Sequence, residues 1–383
     1  MFHLRAPWLA VPAVQRVCTL LEEGGFQALF VGGCVRNSLL GEPVSDHDLS
    51  TDARPEQVAE IMEAAGLKVV PTGIDHGTLT VVADGEPFEI TTFRKDVETD
   101  GRRAVVEFAR DVAADARRRD FTMNAVYCDR RGTVIDPLDG LPDIRARRVR
   151  FVGDADERVR EDYLRILRFF RFSAWYGDPD LGFDADALDA CGRNSTGLAQ
   201  ISAERIGAEI RKLLAAPDPS RSVSVMATTG VLNAILTGSD VTALPIVVHH
   251  EEHLGLEPDA MLRLAALGAQ DVSTRLRLSR RDSRRLQDIG SAARSEMGPG
   301  ETGYRLGRDD GRASLILRDA LMGVTVSPAD LQAVEAGSEA RFPVSARDLM
   351  PEVTGAEIGR TLKTLENRWI ASGFQLSRAQ LLS

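Results

Sequence analysis

The stretch LFVGGCVRNSLLGEPVSDHDLSTDA, Leu29 to Ala53, sets two adjacent glycines, an arginine and two aspartates within one short run. Ala28–Val31 reads as a short buried strand ending at Gly32-Gly33. Val35–Leu40 reads as a helix start closed by Gly41, and Asp46–Leu49 as a second strand. Paired glycines between a strand and a helix let backbone N–H groups approach an anion closely, which makes Gly32 and Gly33 candidates to cradle a phosphate. Arg36 would contact the phosphate tail. The spacing is neither that of a Walker loop nor that of GxGxxG. In a strand, residues i and i+2 share a face, so Asp46 and Asp48 project together while His47 and Leu49 point the other way. Two such carboxylates, roughly 6–7 Å apart, repel unless a cation sits between them. Hard oxygen ligands suit Mg²⁺, which fills its remaining positions with water and phosphate oxygens. A bare DxD is common, however, and surface aspartates in a turn are the plain alternative.

Outward from this run, the first 150 residues mix strand and helix signals. Val11–Glu23 is an amphipathic helix stopped by Gly24-Gly25, and Arg54–Ala65 is a helix with Pro55 near its start. Leu67–Pro71, Thr78–Ala83 and Phe88–Phe93 are three further strands. From about Asp143 the pattern turns helical: Asp156–Ala174, Ala185–Arg193, Ser202–Ala215, Pro219–Thr229, Asp259–Ala269 and the segment from Pro328 to Ser383. Pro and Gly clusters near 177–182, 217–219, 237–245 and 298–303 punctuate it. The fold expected is α+β, a small mixed sheet followed by an all-helical arm.

The chain has 383 residues, 43% of them hydrophobic, enough for two or three domains with real cores. No apolar run reaches a membrane span, and the N-terminus lacks a secretory pattern. Cys18, Cys34, Cys128 and Cys191 form no CxxC pair, which fits reduced thiols in a cytoplasm and indicates no zinc site. The HHEEH run, His249–His253, reads as a solvated helix or loop. Net charge is −10, which taken alone argues against a nucleic-acid partner. The charge is uneven. Arg145–Arg171 carries nine arginines against five acids, and Arg275–Arg285 carries six against Asp282. Such local patches govern polyanion binding more than the total does.

Glycines, arginine and aspartates together make a GGxVRx(9)DxD pattern. It resembles the nucleotidyltransferase signature of bacterial CCA-adding enzymes and poly(A) polymerases, the class II branch of the polymerase β superfamily. PTGIDHGTLTVV (Pro71–Val82) and FEITTFRKD (Phe88–Asp96) resemble the next strands of that family's head. DGRR (Asp100–Arg103) resembles its flexible loop, and RRDFTMNA (Arg118–Ala125) its second signature. EDYLRILRFFRF (Glu161–Phe172) resembles its nucleotide-selecting helix, and SAERIGAEIRKLL (Ser202–Leu214) the neck helix that follows. FPVSARDLMPEVTGAEIGRTLKTLENRW (Phe342–Trp369) resembles a C-terminal block of bacterial members. The family usually has Asp after the signature arginine; this chain has Asn37, for which a structural role, such as capping or holding the turn, is expected.

The resemblance implies a polymerase β-like head over 1–142, a helical neck over 143–216, a helical body over 217–327 and an RNA-binding helical tail over 328–383. It implies template-independent transfer of CMP and AMP from CTP and ATP to the 3′ end of tRNA, with release of pyrophosphate. Asp46 and Asp48 would be the catalytic acids and hold Mg²⁺. Glu89 is either a third acid or an exposed strand residue. Gly32, Gly33, Arg36, Arg119, Asp162, Arg165, Arg168 and Arg171 would bind the nucleotide, with Asp120 and Asn124 organising their segment.

Asp162 and Arg165, at i and i+3, would share a helix face, and Arg168 and Arg171 continue the row. Aspartate only accepts hydrogen bonds and arginine only donates them, a pair that fits the amino-plus-acceptor edge of cytosine and adenine and not that of uracil or guanine. The full-length stretch Lys95–Arg119 favours addition of both C and A, since relatives that add only cytidines have a shortened loop there. Neither a membrane nor DNA is expected as a partner. The rivals are a poly(A) polymerase, a relative adding only A or only CC, and an RNA-binding protein with a degenerate head.

Overall fold

The computed structural model describes residues 2–74, 77–99, 104–350 and 353–383. The DGRR loop, Asp100–Arg103, lies outside the described residues. Close packing divides the chain into two units, residues 1–202 with 228–234, and residues 203–227 with 235–383.

The first unit holds the sheet. Its strands are β1 (Leu29–Val31), β2 (Leu49–Thr51), β3 (Lys68–Gly73), β4 (Thr78–Ala83), β5 (Glu86–Thr92), β8 (Tyr127–Asp129) and β9 (Val134–Ile135), in the order β3-β4-β5-β2-β1-β8-β9. β2 and β5 run parallel, with Leu49 opposite Ile90, and the other neighbouring pairs are antiparallel. β4 alternates as a half-buried strand must: Leu79, Val81 and Ala83 point inward, Thr78, Thr80 and Val82 outward. β6 (Arg94–Thr99) and β7 (Ala104–Phe108) pair as a separate hairpin, which sequence patterning did not register.

Helices α1 (Pro12–Glu23), α2 (Gly33–Leu40) and α3 (Pro55–Ala64) bear out the expected positions. The proline at the start of α1 and of α3 sits where its missing N–H costs nothing. Two differences matter for the site. Asp46–Asp48 precede β2 rather than belong to it. The expected single helix Asp156–Ala174 is two, α6 (Ala155–Glu161) and α7 (Leu164–Tyr176). The break falls at Asp162, which is extended (φ −153°, ψ 104°) and whose Oδ1 accepts from the Leu164 backbone N–H at 3.1 Å. A short carboxylate competes for backbone donors and so starts a helix more readily than it continues one.

The short helices α4 (Val112–Arg117) and α5 (Leu141–Arg145) lie between these elements in sequence, and α8 (Ala185–Arg193) follows α7. α7 buries Leu164, Ile166, Leu167, Phe169, Phe170 and Phe172. Its Phe172 meets Phe121 at 5.0 Å between ring centroids, and Phe169 meets Phe151 at 5.7 Å. Those contacts fix the helix onto the RRDF segment.

The chain continues as α9 (Ala203–Leu214), α10 (Ser220–Thr228), α11 (Val231–Ile235), α12 (Leu244–His253), α13 (Ala260–Ala266), α14 (Val272–Arg275), α15 (Arg280–Ala293), α16 (Pro299–Met322), α17 (Pro328–Glu339), α18 (Ala356–Ala371) and α19 (Arg378–Leu382). One core gathers Val247, Leu262, Ile289, Ile316 and Leu317, and a second gathers Val344, Trp369 and Leu381. Arg263 is buried with Glu251, its Nε donating at 2.7 Å, while its other nitrogens donate to the carbonyls of Leu214, at the end of α9, and of Ala216 and Pro217 just past it.

The HHEEH run ends α12 and is only partly solvated. His249 and His253 are exposed, but Glu251 pairs inward and the His250 ring reaches the Val324 carbonyl. Of the second basic run, Arg285 is drawn onto Asp259 and Asp310, while Arg275, Arg277, Arg280, Arg281 and Arg284 stay exposed. Among the described residues, no helix is long and apolar enough to cross a membrane.

Candidate active site

Asp46 and Asp48 lie exposed on the segment entering β2, and His47 between them turns the opposite way, packing on Trp8 and Phe88. The alternation read from sequence thus holds although the ladder begins only at Leu49. Glu89 precedes Ile90, the partner of Leu49 on β5, and is exposed. The protein packed around the Asp48 carboxyl first, then the Glu89 and Asp46 carboxylates, push its pKa up; Arg119 opposes them without reversing the shift. Among the described residues none of these three carboxylates is in an ion pair, and no three His, Cys, Asp or Glu side chains are grouped to hold a metal by themselves. This donor set fits a divalent cation that takes one or two carboxylates and completes its shell from water and phosphate oxygens.

Arg119 stands across from the carboxylates. Its Nη2 donates to Asp115 Oδ2 at 3.0 Å and to Ser50 Oγ of β2 at 3.3 Å, and its Nε to Tyr127 Oη of β8 at 3.0 Å. Despite its burial, Tyr127 and Asp115 hold the guanidinium firmly charged, above the ordinary arginine range. Asp115 is fully buried, and Arg118 and Arg119 keep it ionised against the cost of that burial. Asp115 and Tyr127 went unread in the sequence. Asp115 had one available signal, its i, i+4 spacing to Arg119 on a short helix; Tyr127 had none.

Gly32 sits at φ +75°, ψ −125°, a conformation that L side chains resist, and a Cβ there would lie 3.9 Å from Arg119 Nη1. The turn, Arg119 and the Asp48 segment therefore share one place. Gly33 opens α2 directly after it.

Arg36, the expected phosphate contact of the turn, packs against α7. It is 6% exposed, its Cζ 4.0 Å from the Tyr176 ring centroid and 5.0 Å from that of Phe172, both on α7. Its Nε and Nη2 donate to Asn37 Oδ1, Nη2 also to Tyr176 Oη, and Nη1 to Asn124 Oδ1.

On the selecting segment, Arg165 donates to Glu161 Oε2 at 2.5 Å and to the Arg158 and Arg118 carbonyls. The helix break means Asp162 and Arg165 do not share a helix face. The Arg165 N–H bonds the Asp162 carbonyl at 2.9 Å and keeps the two together. Arg168 donates to Asp120 Oδ2 from Nε at 2.8 Å and from Nη2 at 2.5 Å. Arg171 lies with Cζ 4.5 Å from the Phe172 ring centroid.

A small mixed sheet with carboxylates at the entry to a strand, a glycine turn beside a charged arginine, and a helical segment rich in arginine define a nucleotidyltransferase with a polymerase β-like head. Residues 28–150 match the family model described as the Poly A polymerase head domain, and residues 180–241 match that described as probable RNA and SrmB-binding site of polymerase A. The chain is 33% identical to the mitochondrial CCA tRNA nucleotidyltransferase 1 of Danio rerio, over 95% of this chain and 88% of the relative. It is 43% identical to the CCA-adding enzyme of Geobacillus stearothermophilus, over 57% of this chain and 52% of the relative. The crystal structure of the Bacillus stearothermophilus CCA-adding enzyme in complex with CTP matches with a TM-score of 0.74 at 28% identity, over 94% of each chain. The chain belongs to the family of CCA-adding tRNA nucleotidyltransferases and poly(A) polymerases.

Proposed function

We propose that this chain adds CMP, CMP and AMP in turn to the 3′ end of tRNA, using CTP and ATP and releasing pyrophosphate. The observation that carries the reading is the placing of Asp46 and Asp48, exposed on the segment entering β2, next to β5, which carries Glu89, with Arg119 bound to Ser50 of β2 and beside the Gly32 turn. An anionic site for a cation then adjoins a cationic site for a triphosphate. Among relatives, a solved CCA-adding enzyme carries CTP, and another from Thermotoga maritima, 18% identical and sharing the fold at a TM-score of 0.71, carries tRNA.

Asp46 and Asp48 would hold Mg²⁺, with Glu89 the third acid. When bound, the ion supplies charge neutralisation for the triphosphate and a lowered pKa for the attacking 3′-hydroxyl. Arg119, locked by Asp115, Tyr127 and Ser50, keeps its charge oriented at no cost in reorganisation when negative charge develops on the phosphates. The N–H groups at Gly32 and Gly33 approach the same phosphates. Asp162 and Arg165 would read the base edge, accepting from the amino group and donating to the ring nitrogen of C or A. Arg168 and Arg171 would support that reading from the next turns of α7. Head, neck, body and tail are the functional divisions proposed, with 217–327 and 328–383 gripping tRNA through phosphate and shape. Four buried cysteines, none in a disulfide, fit a reducing cytoplasm.

The test is one gel. Purified protein and Mg²⁺ are given tRNA lacking its last three nucleotides, with CTP, ATP or both. Growth by two with CTP and by three with both is expected. A long ladder with ATP alone would make it a poly(A) polymerase, and binding without extension would make it an RNA-binding protein.

A further inference from the structure

Asp46 and Asp48 sit on a stretch with little backbone support. Residues 42–48, between α2 and β2, form neither helix nor strand. Toward one end Asn37 Nδ2 donates to the Pro43 carbonyl at 2.7 Å, and at the other the Val31 N–H donates to the Asp48 carbonyl at 3.1 Å. Between those ties, among the described residues, the main chain of 44–47 makes no backbone hydrogen bond. Carboxylates that share a metal must nevertheless be held in place.

His47 supplies a hold there. Its ring lies 5.0 Å from that of Trp8 between centroids, and 6.4 Å from that of Phe88 on β5, stacked at 27°. Phe88 is buried while Glu89 beside it is exposed, so the ring packs inward as the carboxylates stay outward. Trp8 belongs to the short 3-10 turn Pro7–Ala10. It meets Phe30 of β1 edge-on at 4.8 Å, and its Nε1–H donates to Ser38 Oγ of α2 at 2.8 Å. One tryptophan thus touches both elements that flank the Gly32-Gly33 turn and the segment of the aspartates.

A histidine between two catalytic aspartates invites the reading of a metal ligand or a general base. The contacts argue otherwise. The ring turns away from the carboxylates, and its Nε2 is buried with no hydrogen-bond partner among the described residues. A buried nitrogen without a partner is a cost to the fold, so what the position uses is the flat ring. We infer that His47 and Trp8 are positioning residues, an aromatic bolt that fixes Asp46 and Asp48 relative to the glycine turn, and that the imidazole nitrogens take no part in metal binding or transfer. This rests on the CCA-adding reading for what the aspartates do.

The experiment uses the full-length protein and compares wild type with His47→Phe, His47→Ala and Trp8→Phe. Phenylalanine at 47 keeps a flat ring and removes both nitrogens; phenylalanine at 8 keeps a ring and removes the bond to Ser38. Three quantities are measured well below the melting temperature: Mn²⁺ affinity in the presence of CTP by electron paramagnetic resonance, tRNA affinity, and the single-turnover rate of CMP addition. For His47→Phe we expect Mn²⁺ affinity and rate within about threefold of wild type. For His47→Ala both should fall about 10–100-fold with tRNA affinity retained, as loss of supporting groups around a metal site produces. Trp8→Phe should lower the same two quantities by less, and with His47→Phe it decides the matter should His47→Ala fail to fold. Loss of Mn²⁺ affinity and rate in His47→Phe as severe as in His47→Ala would make a nitrogen the working group and overturn the inference. So would wild-type values in His47→Ala, or in Trp8→Phe. A wild-type protein that binds Mn²⁺ but adds no CMP would fail the CCA reading, and the Mn²⁺ affinities of the variants would still test the bolt.

Discussion

Asp48 and Glu89 confront each other at the entry to the one parallel register described, a step before Leu49 pairs with Ile90, and Glu89 raises the Asp48 pKa. Loss of hydration where protein packs around the carboxyl is the larger cause, although the residue as a whole stays exposed, and Asp46 adds to it. A raised carboxylate pKa means that the folded state holds the proton more tightly than the unfolded chain does. The ionised form is thus disfavoured in the fold, and stability falls as pH rises from the ordinary aspartate pKa through the raised one. Asp48→Asn removes that penalty. In chelator-treated protein at neutral pH the variant should melt higher than wild type, while CMP addition is abolished and tRNA affinity is retained. A lower melting temperature would show that the three carboxylates are not in tension. Loss of tRNA binding together with transfer would show that Asp48 is not a metal ligand.

Asp115 supports a different prediction, because its shift has the opposite sign. It accepts from Arg118 at 2.7 Å, from Arg119 at 3.0 Å and from Tyr127 at 2.7 Å with no exposed surface. Burial raises its pKa, but the two guanidiniums more than offset this and the net shift is downward. Its contribution is present above the ordinary aspartate range and is lost as pH falls through the folded pKa. Asp115→Asn leaves buried positive charge uncompensated and should cost about 3–5 kcal/mol at pH 7. Urea denaturation at pH 7 and near pH 3 checks it. The gap between variant and wild type should narrow at the lower pH; a gap independent of pH would mean that Asp115 acts by packing alone. CTP affinity should also fall, since Arg119 loses its anchor.

Much of this was legible in the sequence, for physical reasons that can be named. Asp46 and Asp48 were placed together because strand alternation is local, and it persists one residue outside the ladder. The glycine turn was legible because φ +75° at Gly32 needs that residue. The helix break at Asp162 was not, since helical spacing of the apolar residues runs straight across it and only a capping bond reveals it. The hydrogen-bond partners of Arg36 were not legible for a related reason: Asn124 and Tyr176 lie 88 and 140 residues away.

The glycines of α16 are the clearest failure of local reading and give the last prediction. Gly298–Gly303 was expected to punctuate the chain, as Pro and Gly clusters do. The structure instead begins a helix at Pro299 that continues to Met322, interrupted only by Gly307 at φ +80°. The glycines serve close approach to α17. A Cβ on Gly303 would lie 2.0 Å from the Val334 carbonyl oxygen, and one on Gly337 would lie 2.0 Å from that of Gly300. Backbone on both sides leaves neither contact an easy escape. Gly303→Ala gains helix propensity of about 1 kcal/mol, yet forces the two helices apart, an overpacking that costs about 1–3 kcal/mol or more. The second effect should win. Gly303→Ala and Gly337→Ala should each lower the midpoint of urea denaturation, whereas Gly359→Ala on α18, where an added Cβ meets nothing within 4 Å, should raise it or leave it unchanged. Equal effects at all three positions would mean that propensity, not the α16–α17 approach, decides the outcome.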